Sequence, residues 1–428
     1  KVDEAVSRIH LDRASPLDRE LFPNPPLMNG KAPKATIPNV NHLLKSYGIS
    51  ISYDVINKQL KVVLPNYAGS SENSSNVALT QILSLAAMNG ISPGAIPAIL
   101  ELLGDRNPYN PVADWIMSKP WDGKDRLDAF YDTLVEREDY PKPLKEVLML
   151  RWMVSAVAAA LMPQGFFCRG ILTLQGPQSI GKTSWIRALI PEPMLRERVL
   201  KLDHHLDASN KDSLITAVTH WIVEIGELDS SLKKDVARLK GFITSDRDKL
   251  RKPYARADSE YQRRTVFCAS VNDHAFLVDA TGNTRFWTVP VVSINYAHGI
   301  DMQQLWAQVA IEYQKGETWW LDHNEEKALE RFNSDHRAIS VIREQILGKV
   351  DLERTNATDL AAYSATEMLK AIGNDRPSNP QCKECAGILR ELFGQPKKIQ
   401  GIYKWRVPMR VGKFDELLPN PIHGDDEF

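Results

Sequence analysis

Gly176-Pro177-Gln178-Ser179-Ile180-Gly181-Lys182-Thr183 is the stretch on which the fold turns. It matches the pattern GxxxxGK[ST], in which glycines let backbone N–H groups turn inward around phosphate oxygens. In such a loop Lys182 reaches the outer phosphates and the Thr183 hydroxyl can ligate Mg²⁺. The apolar run Ile171 to Leu174 precedes the loop and a helical stretch begins at Lys182, so a helix N-terminus adds its partial positive charge at the phosphates. The expected nucleotide contacts are Gly176, Pro177, Gln178, Ser179, Ile180, Gly181, Lys182, Thr183 and Ser184, with ATP and Mg²⁺ as cofactors. The alternative is a glycine-bearing turn with an incidental lysine. At average residue frequencies the pattern arises by chance in about one chain in a hundred of this length.

Outward from the loop, short apolar runs bounded by turns predict buried strands at Gly170 to Gln175, Trp221 to Ile225, Thr265 to Ser270 and Thr284 to Val291. Helical stretches at Ser184 to Leu189, Ser209 to Val218 and Leu232 to Ile243 lie between them. Strands alternating with helices predict an α/β domain with a mainly parallel sheet covered on both faces. A phosphate loop needs an acidic element for metal and attacking water. His220-Trp221-Ile222-Val223-Glu224-Ile225-Gly226-Glu227 supplies it, with Glu224 assigned to Mg²⁺ beside Thr183, and Glu227 to polarising water or to a solvated strand end. Val271-Asn272-Asp273 ends the next strand, where Asn272 either meets the γ-phosphate, the role called sensor 1, or starts an Asx-turn. In Gly282-Asn283-Thr284-Arg285-Phe286-Trp287, Arg285 suits an arginine finger reaching a neighbouring subunit's nucleotide, or else a surface ion pair or a contact with its own phosphates.

The whole chain has 428 residues, which predicts two to four domains. Its 53 basic and 54 acidic side chains give a net charge of −1, so any polyanion must meet local patches rather than the whole surface. Four cysteines cannot make a disulfide scaffold in so long a chain and fit a reducing compartment. The longest apolar run, Met153 to Met162, is well short of the ~18 residues of a membrane span, so no membrane association is expected. The chain starts at Lys1 without a signal peptide, from which a trimmed natural N-terminus is expected.

The ordered set WDGKDRLD (Trp121 to Asp128), GPQSIGKT, WIVEIGEL (Trp221 to Leu228), RKPYAR (Arg251 to Arg256), VFCASVN and GNTRFW resembles the virulence-associated protein E family. These are phage- and island-encoded P-loop proteins related to superfamily 3 helicases and phage primase-helicases. The resemblance covers about residues 40 to 410. It implies nucleotide and metal roles for Lys182 and Thr183, the acidic element at Glu224 and Glu227, sensor 1 at Asn272 and a finger at Arg285. It also implies an AAA+-like core of superfamily 3 type working as an oligomeric ring, for which a hexamer is expected; a primase fused or associated at the trimmed N-terminus is left open by the sequence. Ring ATPases usually set the two acids side by side, whereas here Ile225 and Gly226 separate them.

The expected organisation is a linker or arm at 1–38, a small α+β module at 39–110, a helical collar at 111–165, the P-loop ATPase domain at 166–335, a helical and winged-helix-like domain at 336–410 and a tail at 411–428. In the last of these domains, Ser364 to Ile372 and Gln381 to Phe393 read as helices and Ile399 to Val407 as a strand pair. From Lys370 to Arg410, nine basic residues face three acidic ones, which suits nucleic acid, although winged helices also bind proteins. Cys382 and Cys385 lack a second ligand pair nearby and read as helix cysteines without metal.

Ser245 to Arg264 holds seven basic residues against four acidic. By resemblance to superfamily 3 rings, a hairpin there projects toward single-stranded DNA, with Lys249, Arg251, Lys252 and Arg256 on phosphates and Tyr254 stacking on a base. A solvated charged loop is the alternative. The favoured function is an ATP-dependent DNA helicase for replication of a phage or mobile element, acting on single-stranded or forked DNA in the cytoplasm of a prokaryotic or phage-infected cell. The competing function is a DNA-binding P-loop ATPase in loading, packaging or regulation without unwinding.

Overall fold

Burial explains where strands form. The computed structural model describes residues 11, 14–25, 32–66, 74–226, 228, 238–250, 259–273, 276–277, 283–334, 341–354 and 360–410. These fall into two compact units, one of residues 1–274 with 284–332 and one of 275–283 with 333–428.

The first unit opens with β1 (Ser50–Asp54), β2 (Gln59–Val63) and β3 (Pro108–Tyr109), in the order β2-β1-β3. The helix Ile37–Ser46 starts where the Thr36 side chain accepts from the Asn39 amide, and it buries Val40, Leu43 and Leu44. Those side chains share a core with Ile82, Leu85, Ile96 and Leu100 from two further helices, Ser74–Met88 and Ile96–Asp105. Part of the segment expected to be a linker joins this core: Phe22 is buried in it, and the Tyr47 hydroxyl donates to Ser15 O at 2.8 Å.

The central sheet has six strands in the order β4-β11-β5-β10-β7-β6, namely β4 (Leu134–Glu136), β5 (Ile171–Gln175), β6 (Leu200–His204), β7 (Ile222–Ile225), β10 (Val266–Val271) and β11 (Phe286–Ile294). β8 (Arg247–Leu250) and β9 (Ser259–Gln262) form a separate antiparallel pair. Five strands of the central sheet are parallel, and β4 joins β11 antiparallel. The four expected strands lie within a few residues of their predicted bounds. β4 and β6 are additions to them, and β4 lies within the segment 111–165 expected as a helical collar, a helical block punctuated by Pro120, Gly123, Pro141 and Pro143. Its three residues are too short to carry a period of their own, and the pairing with β11 supplies what local pattern lacks.

The helix Lys142–Leu161 packs on β5 and β10 with one face and on the helix Met302–Gln314 with the other. That two-sided burial accounts for its apolar run, with Met153 to Ala160 all inaccessible. Among the described residues, no helix is long and apolar enough to cross a membrane. Five tryptophans are buried in this unit, and each indole N–H has an acceptor: Trp152 on Phe267 O at 2.7 Å, Trp185 on Thr133 Oγ1 at 2.8 Å, Trp221 on Ala156 O at 2.8 Å, Trp287 on Thr284 O at 3.1 Å and Trp306 on Leu189 O at 2.9 Å. Trp152 thereby ties the long helix to β10. Trp152→Phe keeps most of the buried area but strands a buried carbonyl, so a loss of about 1–3 kcal/mol is expected in chemical denaturation. An unchanged denaturation midpoint would show that water reaches Phe267 O.

In the second unit, β12 (Ala362–Tyr363), β13 (Lys397–Ile399) and β14 (Ile402–Arg406) form a sheet in the order β12-β14-β13. The helices Ala365–Ala371 and Asn379–Phe393 each begin with a capping box, at Ser364 and Ser378. They enclose Met368, Leu369, Cys385, Leu389 and Trp405. Burial pushes the Cys385 thiol up to about 12.

Candidate nucleotide-binding site

Register decides which side chains meet. Val271 of β10 pairs with Gln175 of β5, Ala269 of β10 with Ile225 of β7, and Ile225 with His204 of β6. The carboxyl ends of β5, β10, β7 and β6 therefore share one edge of the sheet, where open α/β sheets present their ligand crevices. Gly176, Asn272 and Gly226 each follow directly on one of those strands. A cleft of about 350 Å³ opens at this edge, lined by Gln178, Ser179, Lys182, Thr183, Asp203 and Asn272, with Gly181, Ser184 and Ser270.

The loop between β5 and the helix Lys182–Ala188 turns through two left-handed residues, Ser179 at φ 66° and Gly181 at φ 98°. A side chain at Gly181 would be strained by that φ and would also meet the Tyr296 ring, so glycine is required twice over. Trp185 anchors the following helix, stacking on Phe130 at 5.2 Å. The Lys182 ammonium is nearly buried and donates at 2.8 Å to each of three oxygens, Gly176 O, Pro177 O and Asn272 Oδ1. All three of its N–H bonds are satisfied. Burial lowers the Lys182 pKa, and the negative charge of Glu224 opposes that shift. Asn272 is thus joined directly to Lys182 rather than only turning the chain.

Glu224 is fully buried on β7, between β10 and β6. Its Oε1 accepts from Thr183 Oγ1 at 2.7 Å and its Oε2 from the Asp203 amide at 3.2 Å. It faces the cleft through Thr183 instead of lining it. Two hard oxygen donors side by side fit Mg²⁺, which takes one or two protein oxygens and fills its remaining positions with water and phosphate. Glu227 lies outside the described residues.

Asp203 is a cleft residue that sequence reasoning does not single out. It is the next-to-last residue of β6, within a register irregularity, with a left-handed φ of 49°, and lines the cleft. Its carboxylate packs so close to Gly226 that a Cβ there would overlap Asp203 Oδ1, which explains the glycine between the two acids. The available signal is Leu200-Lys201-Leu202-Asp203, a short alternating run ending in an acid, like the run that ends at Glu224.

Arg285 lies elsewhere. It immediately precedes β11, whose Phe286 pairs with Ile171 at the start of β5, so it sits at the opposite edge of the sheet from Lys182. Its Nε is buried with no hydrogen-bond partner among the described residues.

Of the basic hairpin candidates, Lys249 is exposed on β8, paired across the strands with Glu260. Arg251, Lys252, Tyr254 and Arg256 lie outside the described residues. Two other arginines of that basic segment serve the fold. Arg263 is buried in an ion pair with Asp248 at 2.5 Å, and Arg264 donates to Ala160 O at 3.0 Å at the end of the long helix.

Comparison with known proteins adds one family and one recurring structural neighbour. The model of the virulence-associated protein E-like domain matches residues 116–338. Among solved structures, the chain is similar to the apo structure of the NrS-1 C-terminal region (305-718), at 14% identity and a TM-score of 0.44, covering 86% of this chain and 98% of that one. An A form of the same region gives 13% identity and a TM-score of 0.43, over the same shares. No curated protein matches.

Proposed function

The chain belongs to the virulence-associated protein E-like family, and from that premise we propose that it is an ATP-hydrolysing DNA motor, a helicase of superfamily 3 type working as a ring in the replication of a phage or mobile element. The observation that carries the reading is the joining of Lys182 to Asn272 and of Thr183 to Glu224 at one sheet edge, with Arg285 at the other. β10 lies between the loop-bearing β5 and the acid-bearing β7, which sets Asn272 between the lysine and the carboxylate. The parallel order supports the AAA+-like core that the family resemblance implies.

In this reading the loop amides and Lys182 bind the triphosphate. Lys182 exchanges two neutral carbonyls and an amide for charged phosphate oxygens, a stronger set of acceptors. Thr183 and Glu224 hold the magnesium ion, which when bound neutralises charge on the outer phosphates. Asn272 orients the terminal phosphate or the attacking water, and Glu227 polarises that water. Arg285 serves the nucleotide of the next copy. Single-stranded DNA passes the hairpin whose base is β8–β9, and the second unit, with three helices and a three-stranded sheet among its described residues, acts as a winged-helix-like module.

The test is strand displacement on forked DNA with ATP and Mg²⁺. The expected result is ATP-dependent displacement, with hydrolysis stimulated by single-stranded DNA. Lys249→Glu should lower the log–log salt slope of single-strand binding by about 0.7. Stimulated hydrolysis without displacement would replace unwinding by loading, packaging or regulation, and a chain that neither binds nor hydrolyses ATP would defeat the reading outright.

A further inference from the structure

We propose that Tyr296 is the platform on which the base of the bound nucleotide stacks, so that an aromatic face sets the affinity for the nucleoside end of ATP. The inference deepens the reading above and rests on it. Pro290 of β11 pairs with Gln175, the last residue of β5, so β11 runs on past the end of β5 as Val291 to Ile294. That extension pairs with β4 instead. Val291 O comes so close to Gly176 that no side chain fits there, and the chain then turns and brings the Cδ1–Cε1 edge of the Tyr296 ring against Gly181. Both ends of the phosphate loop thus touch β11 or its continuation.

Fixed partners place the ring. Thr133 is buried and accepts from the Asn295 amide at 2.8 Å through its carbonyl and from the Trp185 indole at 2.8 Å through its hydroxyl, so one residue ties the segment after β11 to the helix after the loop. His298 repeats the tie. Its ring meets Phe130 edge-on at 6.3 Å, Phe130 stacks on Trp185, and His298 Nδ1 accepts from the Ile300 amide at 3.1 Å. Between these two anchors Tyr296 is 50% exposed. Its contact with Gly181 is made through one edge, which leaves a rigid aromatic face open beside a residue that lines the cleft. A held, open ring face is what a planar base stacks on.

The direction of the nucleotide identifies the ligand. Asn272 follows β10 and Glu224 lies on β7, both on one side of β5, and in the proposed reading they take the terminal phosphate and the metal. The nucleoside end of the triphosphate then points to the other side of β5. β11 is the strand there, one spacing of about 5 Å away, and Tyr296 is the aromatic side chain that its continuation delivers to the loop. Every base has a π-face, so the platform holds a nucleobase without reading its edge. A base of single-stranded DNA is the rival occupant, and support of Gly181 alone is the rival role.

The experiment compares wild type, Tyr296→Ala and Tyr296→Phe for binding of ATP and of inorganic tripolyphosphate with Mg²⁺, for kcat and KM of ATP hydrolysis, and for single-stranded DNA affinity. Tyr296→Ala should weaken ATP binding about 5–100-fold and raise KM alike, with kcat changed less than about threefold. Tripolyphosphate has no base and should bind Tyr296→Ala as it binds the wild type. Tyr296→Phe should keep wild-type ATP affinity, because the face is unchanged. Three results would each overturn the inference and leave the phosphate site standing: ATP affinity untouched in Tyr296→Ala, a loss for tripolyphosphate equal to that for ATP, or a loss in Tyr296→Phe as large as in Tyr296→Ala. Weakened DNA binding at normal ATP affinity would overturn it by assigning the ring to nucleic acid. A wild-type chain that binds neither ATP nor tripolyphosphate would remove the nucleotide-site reading along with it.

Discussion

Lys182→Ala is expected to lower ATP turnover by about 10²–10³-fold while the protein stays folded. The catalytic half of that expectation follows from the position of the ammonium group, the only cationic side chain lining the cleft among the described residues and one that can follow charge as it develops on the outer phosphates. The folding half needs its own argument, because Lys182 is nearly buried and makes three hydrogen bonds. Stranding buried carbonyls costs about 1–3 kcal/mol each when they stay dry. These oxygens adjoin a cleft of about 350 Å³, which admits water to replace the ammonium. The lysine is itself held at a desolvation cost, seen in its lowered pKa, and alanine removes that cost. Stability should therefore change little, which a thermal melt of the variant beside the wild type will show. Wild-type turnover in a folded Lys182→Ala would remove the nucleotide site from this loop. A collapse in stability that parallels the loss of activity would instead make Lys182 a structural tie between the loop and β10.

The loop and its flanking strand are legible in the sequence because the constraint is local: glycines at fixed offsets, an apolar run before them and a helix after. The four expected strands are legible for the same reason, since burial on both faces leaves continuous apolar runs. What escapes depends on pairing between distant residues. Asp203 owes its place to β6 lying beside β7 and to a left-handed turn that a non-glycine residue adopts at a cost. No local pattern announces that β4 will pair with β11. Glu224 reads in the sequence as a strand-end acid beside the metal, yet it lies wholly inside the sheet and meets the cleft through Thr183. Charge counting over Ser245 to Arg264 does not separate Arg263 and Arg264, which hold the fold, from Lys249, which faces solvent, because composition carries no information on burial.

Arg285→Ala is expected to cut turnover by about 10³–10⁵-fold with little change in ATP affinity. The sheet itself supplies the reason. Lys182 follows the carboxyl end of β5, while Arg285 lies level with the residue before its amino end. The strand between them spans about 16 Å, farther than an arginine side chain extends, so Arg285 and Lys182 of one chain do not converge on one phosphate. If Arg285 stabilises transferring phosphate, that phosphate belongs to another copy, and a contact from one surface to a different surface is head-to-tail and closes into a ring when its rotation permits. Complementation makes this measurable. In an equal mixture of Arg285→Ala and Lys182→Ala, a site is whole when its lysine comes from the first chain and its arginine from the second. Random assembly through such an interface gives that arrangement at about a quarter of the sites. Turnover should therefore rise from near zero for either variant alone toward about a quarter of wild type, less whatever coordination between neighbours removes. Mixing after assembly, without exchange of subunits, should give no rise, which separates a shared site from simple addition of residual activities. Full activity of Arg285→Ala as a monomer, or no recovery in oligomers shown to contain both chains, would place the arginine outside the reaction and leave its buried Nε, which has no hydrogen-bond partner among the described residues, to be explained by the packing of its own pocket.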